Sequence, residues 1–347
     1  MASVSERLEL VKRNLQEVVT EEELAEVLSS PRPISYMGIE PSGPAHLGTL
    51  MMAGKAEDLI KAGFHFKLLL ADWHAFINDK FEGDMERIRS CGEYLIHFFK
   101  ALGVGKEGGI EFVWASDVVD TSSYWEKVIR IAKASSLQRL RRAMTIMGRR
   151  EEEADLDSSK FFYPAMQAAD IFHLEVDAAL GGIDQRKAHM LARDAAEKLG
   201  WKKPVALHTP LIPALNLSGR MDGDVLSIKM SKSDPDSGIL IHDSPEDIRR
   251  KLKKAYCPEG EVENNPVLDI ARYIVFRWKG ELQVLRPKKW GGDVRYTTYK
   301  ELESDFRERK LHPLDLKNSV ADALIEVLDP LWRYFESHPE AMSWLSK

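Results

Sequence analysis

The chain has 347 residues, 44% of them hydrophobic and 30% charged, with a formal net charge of -6. A chain of this size buries a large core and divides into about two domains, while its excess of acid excludes uniform attraction to nucleic acid, so any phosphate-binding footprint must be local. No run approaches the roughly 18 apolar residues of a membrane span, the polar start lacks a signal peptide's apolar region, and Cys91 and Cys257 stand outside any redox or metal-ligand spacing. The expectations are a cytoplasmic protein with reduced thiols, no membrane contact, no structural zinc and no protein-held metal.

Apolar, β-rich runs recur at SYMGI, FKLLLADWHAF, EFVWAS, HLEVDAAL and VALHTPLI, separated by segments of helical period such as MERIRSCGEYLIHFFKAL. The alternation predicts an α/β domain over residues 1–216, a parallel sheet with helices on both faces. Within it, residues from about 121 to 160 read as a helical insertion. An ST-rich cap opens it, Trp125, Val128 and Ala132 fall on one stripe, and the basic residues Arg139, Arg141, Arg142, Arg149 and Arg150 follow. An inserted helix pair suits an oligomer contact. Residues 217–238, LSGRMDGDVLSIKMSKSDPDSG, combine glycines with Asp-Pro and break every periodic pattern, as long functional loops do. Over 239–347 the strands give out, and DSPEDIRRKLKKAY, ENNPVLDIARYIV, YKELESDFRERK and DLKNSVADALIEVLDPLWRYF read as the helices of an all-α C-terminal domain.

The first strand leads into Gly38-Ile39-Glu40-Pro41-Ser42-Gly43-Pro44-Ala45-His46-Leu47-Gly48-Thr49, a tight turn that opens an amphipathic helix. Unpaired N–H groups and the positive end of the helix dipole make such turns phosphate sites in α/β folds. Glycine at 43 and 48 permits close approach, and His46 and Ser42 offer donors to charge developing on transferred oxygens. The pattern is neither GxGxxG nor a Walker loop. Read alone, it is also compatible with an ordinary Pro-Ser-Gly turn. Far downstream, Lys229-Met230-Ser231-Lys232-Ser233 places two lysines on the long loop, suited to closing over a triphosphate. By itself KMSKS equally fits a solvated basic turn.

In this order, PSGPAHLG and KMSKS are similar to the two signatures of class I aminoacyl-tRNA synthetases, with Thr49 where the first signature ends in His. Over nearly the whole chain the likeness is closest to tyrosyl-tRNA synthetases of archaeal and eukaryotic type. It implies a Rossmann-like class I catalytic domain with a helical insertion, a helical anticodon-binding domain and a homodimer. The implied partners are ATP with Mg²⁺, L-tyrosine and tRNA(Tyr). On the matching positions, Gly38, Glu40, Ser42, His46, Gly48, Thr49, Gly182, Asp184, Lys229, Met230 and Lys232 hold ATP, with His46, Lys229 and Lys232 catalytic.

In Tyr163-Pro164-Ala165-Met166-Gln167-Ala168-Ala169-Asp170, residues 163, 167 and 170 fall on one helical face. The resemblance makes that face the tyrosine pocket: Asp170 accepts from the phenol, Tyr36 donates to it, Tyr163, Gln167 and Gln185 hold the amino group, and Ala71 and His74 line the wall. In Gly181-Gly182-Ile183-Asp184-Gln185-Arg186-Lys187, Asp184 sits where acidic residues hold ribose hydroxyls, and Arg186 and Lys187 resemble residues that meet the acceptor stem. Trp290 in KKWGGD, and His312 and Asp315 in LHPLDLKN, match positions that read the anticodon, a flat aromatic and an acceptor suited to stacking and to a guanine edge. Tryptophanyl-tRNA synthetase and a catalytically silent tRNA-binding relative are the alternatives. The first lacks reason to pair Tyr36 with Asp170, and intact HLG and KMSKS motifs argue against the second.

Overall fold

The computed structural model describes residues 2–148, 157–216 and 236–345. The chain forms two compact units, one of Met1–Gly43, Lys55–Pro210 and Glu340–Lys347, the other of Pro44–Gly54 and Leu211–Pro339.

The first unit is built on a six-stranded sheet of β1 (Glu17–Val19), β2 (Ile34–Ile39), β3 (His65–Leu70), β4 (Ile110–Trp114), β5 (Ala178–Gly182) and β6 (Val205–Thr209). Their spatial order is β1-β6-β5-β2-β3-β4, with every pair parallel except β1 against β6. The central strands are buried along most of their length: Leu68, Leu69 and Leu70 are fully covered, the continuous apolar pattern of a sheet with both faces packed. The five strands read from the sequence are present, and the edge strand β1 is added to them. Two boundaries move. FKLLLADWHAF stops being a strand at Leu70, because Asp72 opens α4 (Asp72–Ile77), its Oδ1 accepting from the N–H groups of Trp73 and Ser116. HLEVDAAL begins as the end of a helix, and Glu175 turns the chain through a positive φ of 56° before β5 starts at Ala178.

The insertion opens as the cap residues suggest. The Thr121 side chain accepts from Tyr124 N–H and starts α7 (Ser122–Ala134); Ser136 then accepts from Arg139 N–H and starts α8 (Leu137–Ala143). The buried stripe of α7 differs from the expected one. Tyr124, Val128 and Ile131 face the core while Trp125 is 39% exposed, so the helix is rotated by about one residue from the phase that Trp125 and Ala132 suggested. It packs on α9 (Phe162–His173), which in turn packs on α10 (Arg186–Leu199).

In the second unit, Ala45–Leu47 is stitched to Ile239–Ile241 by backbone bonds from Leu47 N–H to Ile239 and from Ile241 N–H to Ala45. The helices α11 (Pro245–Lys254), α12 (Pro266–Ile270, continued by a π turn over Ala271–Val275), α13 (Tyr299–Arg307) and α14 (Pro313–Ser337) surround a core that includes Ile248, Leu252, Leu268, Ile274, Leu324 and Leu328. Between α12 and α13 lies a short hairpin, β7 (Leu282–Val284) against β8 (Val294–Tyr296).

Candidate functional site

Helix α9 carries the site's buried carboxyl. Asp170 is 1% exposed, and three elements converge on it. From α7, the Tyr124 hydroxyl donates to Asp170 Oδ1 at 2.8 Å, with the Met166 carbonyl 3.3 Å away as a second acceptor. From α4, His74 Nε2 lies 3.3 Å from Asp170 Oδ2 but out of hydrogen-bond line. From β2, the buried Tyr36 lies close enough to feel the carboxylate, which together with burial pushes its phenol well up.

Burial outweighs mutual attraction in the His74–Asp170 pair. It raises Asp170 to about 8, opposed by the Tyr124 hydrogen bond, and lowers His74 to about 4. An ion pair would move both the other way, so burial favours the neutral form of each group. Tyr124 is not among the residues that the sequence motifs place in the site. A different phase for the α7 stripe (124, 128, 131) would have found it.

The other end of the same cluster is wetter. The Tyr163 ring packs edge-on to His74, centroids 4.9 Å apart, and its hydroxyl donates to Glu40 Oε1 at 2.6 Å. Asn78 Nδ2 also donates to Glu40, at 3.0 Å, and to the Met147 carbonyl, while Lys80 stands 3.5 Å from the carboxylate. Glu40 is 19% exposed. Gln167 Nε2 donates to Gln185 Oε1 at 3.1 Å, and Gln185 Nε2 donates to the Ile146 carbonyl. Gln167 Oε1 is buried without a partner among the described residues, an acceptor aimed at something absent from the chain itself. Tyr36, Ala71, His74, Tyr163, Gln167, Asp170 and Gln185 all belong to the first unit. Nothing in the sequence signalled Asn78.

β5 ends at Gly182, and the turn Ile183–Gln185 carries Asp184 and leads into α10. A side chain at Gly181 would lie 3.0 Å from both Gln185 Cβ and the ring of His189, so anything larger than glycine would crowd the turn. Beneath it runs a chain of bonds: His189 Nδ1 to His208 Nε2 at 3.0 Å, and His208 Nδ1 to Glu17 Oε2 at 2.7 Å. Glu17 also binds the exposed Arg186 at 2.8 Å, and Lys187 donates to Thr145 Oγ1.

In the second unit, Gly48 N–H donates to His46 Nδ1 at 3.0 Å. That bond makes Nδ1 an acceptor and leaves the ring proton on Nε2, a donor. A Cβ on Gly48 would lie 2.7 Å from the ring, so the imidazole folds over α3 (Leu47–Lys61) only because residue 48 is glycine. Thr49 Oγ1 accepts from His46 N–H at 3.4 Å, the role a Glu fills in a capping box. Lys229, Met230 and Lys232 lie outside the described residues, as do Arg149 and Arg150.

Trp290, 64% exposed, ends a short turn (Lys288–Trp290) with Lys289 Nζ 5.4 Å from its ring centroid. His312 caps α14, its Nδ1 accepting from Leu314 N–H, and Asp315 sits in the first turn. Arg286 ties the two stretches together by donating to the carbonyls of Gly292 and Lys310. Among the described residues, no three His, Cys, Asp or Glu gather so as to hold a metal ion, and no helix is long and apolar enough to cross a membrane.

Residues 29–329 match the family model of class I tRNA synthetases (W and Y). The chain is 54% identical over 337 residues to a tyrosine–tRNA ligase of Aeropyrum pernix, covering 94% of this chain and 92% of that relative. It is also similar to the solved tyrosyl-tRNA synthetase of Pyrococcus horikoshii complexed with L-tyrosine (45% identity, TM-score 0.89, 99% of this chain and 100% of that one). The same enzyme from Archaeoglobus fulgidus, also complexed with L-tyrosine, matches at 43% identity and TM-score 0.88, over 96% and 99% of the two chains.

Proposed function

The chain belongs to the class I aminoacyl-tRNA synthetases of the tyrosine–tRNA ligase type, and on that premise we propose how its residues divide the work of joining tyrosine to tRNA(Tyr). The observation that carries the reading is Asp170: a carboxyl 1% exposed and ringed by Tyr36, His74 and Tyr124. An isolated carboxyl at such depth is costly, and a substrate that ends in a hydroxyl repays it. The phenol of tyrosine donates to Asp170 and accepts from Tyr36, Ala71 and His74 form the wall, and the ammonium goes to the Tyr163, Gln167 and Gln185 end beside Glu40.

ATP is the second substrate. Gly38, Glu40, Ser42, Gly48, Thr49, Gly182, Asp184 and Met230 are assigned to it, with Asp184 on the ribose. A tyrosine carboxylate oxygen attacks the α-phosphorus in line, the bond to pyrophosphate breaks, and tyrosyl-adenylate forms. His46, presenting Nε2–H, and the ammonium groups of Lys229 and Lys232 stabilise the charge on the transferring and leaving phosphates. Mg²⁺ enters with ATP. The terminal ribose hydroxyl of the tRNA then attacks the acyl carbonyl and AMP leaves, so no covalent enzyme intermediate is needed.

Arg186 and Lys187 meet the acceptor stem. Trp290, His312 and Asp315 read the anticodon from the helical part that follows residue 239, the catalytic part occupying 1–216 and the KMSKS loop 217–238. The enzyme works in the cytoplasm as a homodimer. Support for the dimer comes from apolar side chains turned outward on the insertion and its neighbour: Trp125 at 39% exposure, Ile129 at 64% and Phe162 at 51%, a patch of the kind that marks interfaces.

Sites built to hydrogen-bond a substrate hydroxyl reject the analogue that lacks it, and tyrosyl synthetases are the family from which that rule is known. The test is amino-acid-dependent ATP–pyrophosphate exchange across all twenty amino acids, in wild type and Asp170→Ala. Tyrosine alone supports exchange in the wild type, and the substitution lowers its kcat/KM relative to phenylalanine by about 10- to 100-fold or more. Exchange driven by tryptophan, or an unchanged ratio in the variant, refutes the reading.

A further inference from the structure

Tyr124 lies outside every role assigned above, yet its hydroxyl makes the shortest bond to Asp170, 2.8 Å to Oδ1. The same hydroxyl has a second acceptor within reach, the Met166 carbonyl at 3.3 Å. One proton serves one acceptor at a time. With Asp170 ionised, Tyr124 donates to Oδ1. With Asp170 neutral, Tyr124 turns its proton to Met166 and accepts the carboxyl proton from Oδ1 through its own oxygen. The hydroxyl is therefore matched to both states of the acid.

Among the described residues, Oδ2 has no such partner for a proton. His74 Nε2 lies 3.3 Å from it but out of hydrogen-bond line, whereas Tyr124 is aligned on Oδ1. A proton on the carboxyl therefore resides on Oδ1, and Oδ2 stays bare. This matters because burial raises Asp170 to about 8, so the neutral form is populated under ordinary conditions, and an acid with its proton on the wrong oxygen would meet the phenol as a donor facing a donor. The groups facing Asp170 are Tyr36 from β2, His74 from α4, Tyr124 from α7 and Tyr163 from its own helix, with the ring of His173 5.5 Å from that of Tyr124. His74 is kept neutral by burial, and the three phenols stay protonated. Tyr124 is the member of this set hydrogen-bonded to the carboxyl.

We propose that Tyr124 is a positioning residue for substrate choice, fixing any proton of Asp170 on Oδ1 so that Oδ2 always meets the substrate phenol as an acceptor. The proposal rests on the tyrosine reading given above. Its test is the ratio of kcat/KM for tyrosine to that for phenylalanine in pyrophosphate exchange, a quotient from which the titration of the shared amino group cancels. Tyr124→Phe keeps the ring and loses the hydroxyl; the ratio falls by about 10- to 100-fold, and the deficit deepens from about pH 9 down to about pH 6.5 as Asp170 takes up an unplaced proton. Tyr124→Gln loses the ring but restores a donor and an acceptor, so it recovers part of the ratio. A residue that merely fills space would give the opposite ranking, Gln worse than Phe.

If the wild type prefers tyrosine and Tyr124→Phe preserves both the ratio and its pH profile, the inference is overturned while the tyrosine reading stands. If the wild type itself shows no preference for tyrosine, the reading fails first. Should neither variant fold, the wild type still decides: its ratio holds to within about tenfold across that pH range, and a steeper collapse on the acid side refutes the role given to Tyr124.

Discussion

Acidification should weaken the first unit through His189, and the size of the effect follows from burial. His189 is 1% exposed, and desolvation, helped by the neighbouring His208, lowers its pKa from 6.5 to about 3. The folded state therefore refuses a proton that the unfolded chain accepts. Stability is fully present above the unfolded value, starts to fall as pH drops through 6.5, and stops falling only near the folded value of about 3. Between about pH 7 and about pH 5, a single histidine of this kind removes about 2 kcal/mol.

Besides Asp269 of the second unit, which burial raises to about 7 and which gains stability on acidification, two buried groups of the first unit titrate in that window with opposite signs. His74, lowered to about 4, removes a similar amount, while Asp170, raised to about 8, is protonated more readily in the folded state and returns about as much. They nearly cancel, so within the first unit His189 sets the slope, reinforced by His208, which burial also lowers. In His189→Gln the amide retains a donor toward His208 and cannot be charged. Urea unfolding followed by circular dichroism at both pH values should show about 2 kcal/mol less acid loss in the variant than in wild type. Equal acid losses in the two proteins would refute the assignment of the slope to this site. Because His189 lies under the tight turn at Gly181, the same experiment reads how firmly the turn bearing Asp184 is held.

Lys229→Ala or Lys232→Ala should leave the dissociation constant for tyrosine unchanged while slowing single-turnover adenylate formation by about 10²–10³; a wild-type rate would remove these residues from the proposed chemistry. Trp290→Ala or Asp315→Ala should lower aminoacylation of tRNA while sparing pyrophosphate exchange, the stacking part amounting to about 1–3 kcal/mol. Equal losses in the two assays would assign these side chains to the fold.

The strands were legible because a sheet covered on both faces writes continuous apolar runs, as at Leu68–Leu70, and the helix starts were legible because Thr121 and Ser136 are side-chain caps whose preference is local. Three features were not. β1 is three half-buried residues, too few for a period. Strand β3 gives way to α4 within one apolar run, a boundary set by Asp72 reaching the distant N–H of Ser116, a contact that no local pattern records. The phase of α7 was misread because Trp125, the most conspicuous apolar residue of its first turn, is 39% exposed; the outward face of an insertion is not obliged to be polar. That error concealed Tyr124. Glu40 was assigned to ATP through the family resemblance, but its bonds to Tyr163 and Asn78 come from residues over a hundred and nearly forty positions away, so they follow from topology alone.

The two ends of the Tyr36–Asp170 cluster differ in a way that fixes how a substrate must lie. At one end burial favours the neutral form of both titratable groups, raising Asp170 and lowering His74. A cation placed there would meet no compensating charge and would be desolvated at great cost. At the other end Glu40 remains 19% exposed, accepts from Tyr163 and Asn78, and has Lys80 at 3.5 Å. Tyr163 joins the ends, with its ring on His74 and its hydroxyl on Glu40. On the proposed reading, an amino acid that carries an ammonium at one terminus and a neutral hydroxyl at the other lies in one orientation, ammonium toward the Tyr163, Gln167 and Gln185 end and phenol toward Asp170. An indole satisfies the dry end less well, because its N–H donates but offers no acceptor to Tyr36. On that reading, selection for tyrosine comes from the unequal burial of Asp170 and Glu40 as much as from the shape of the site.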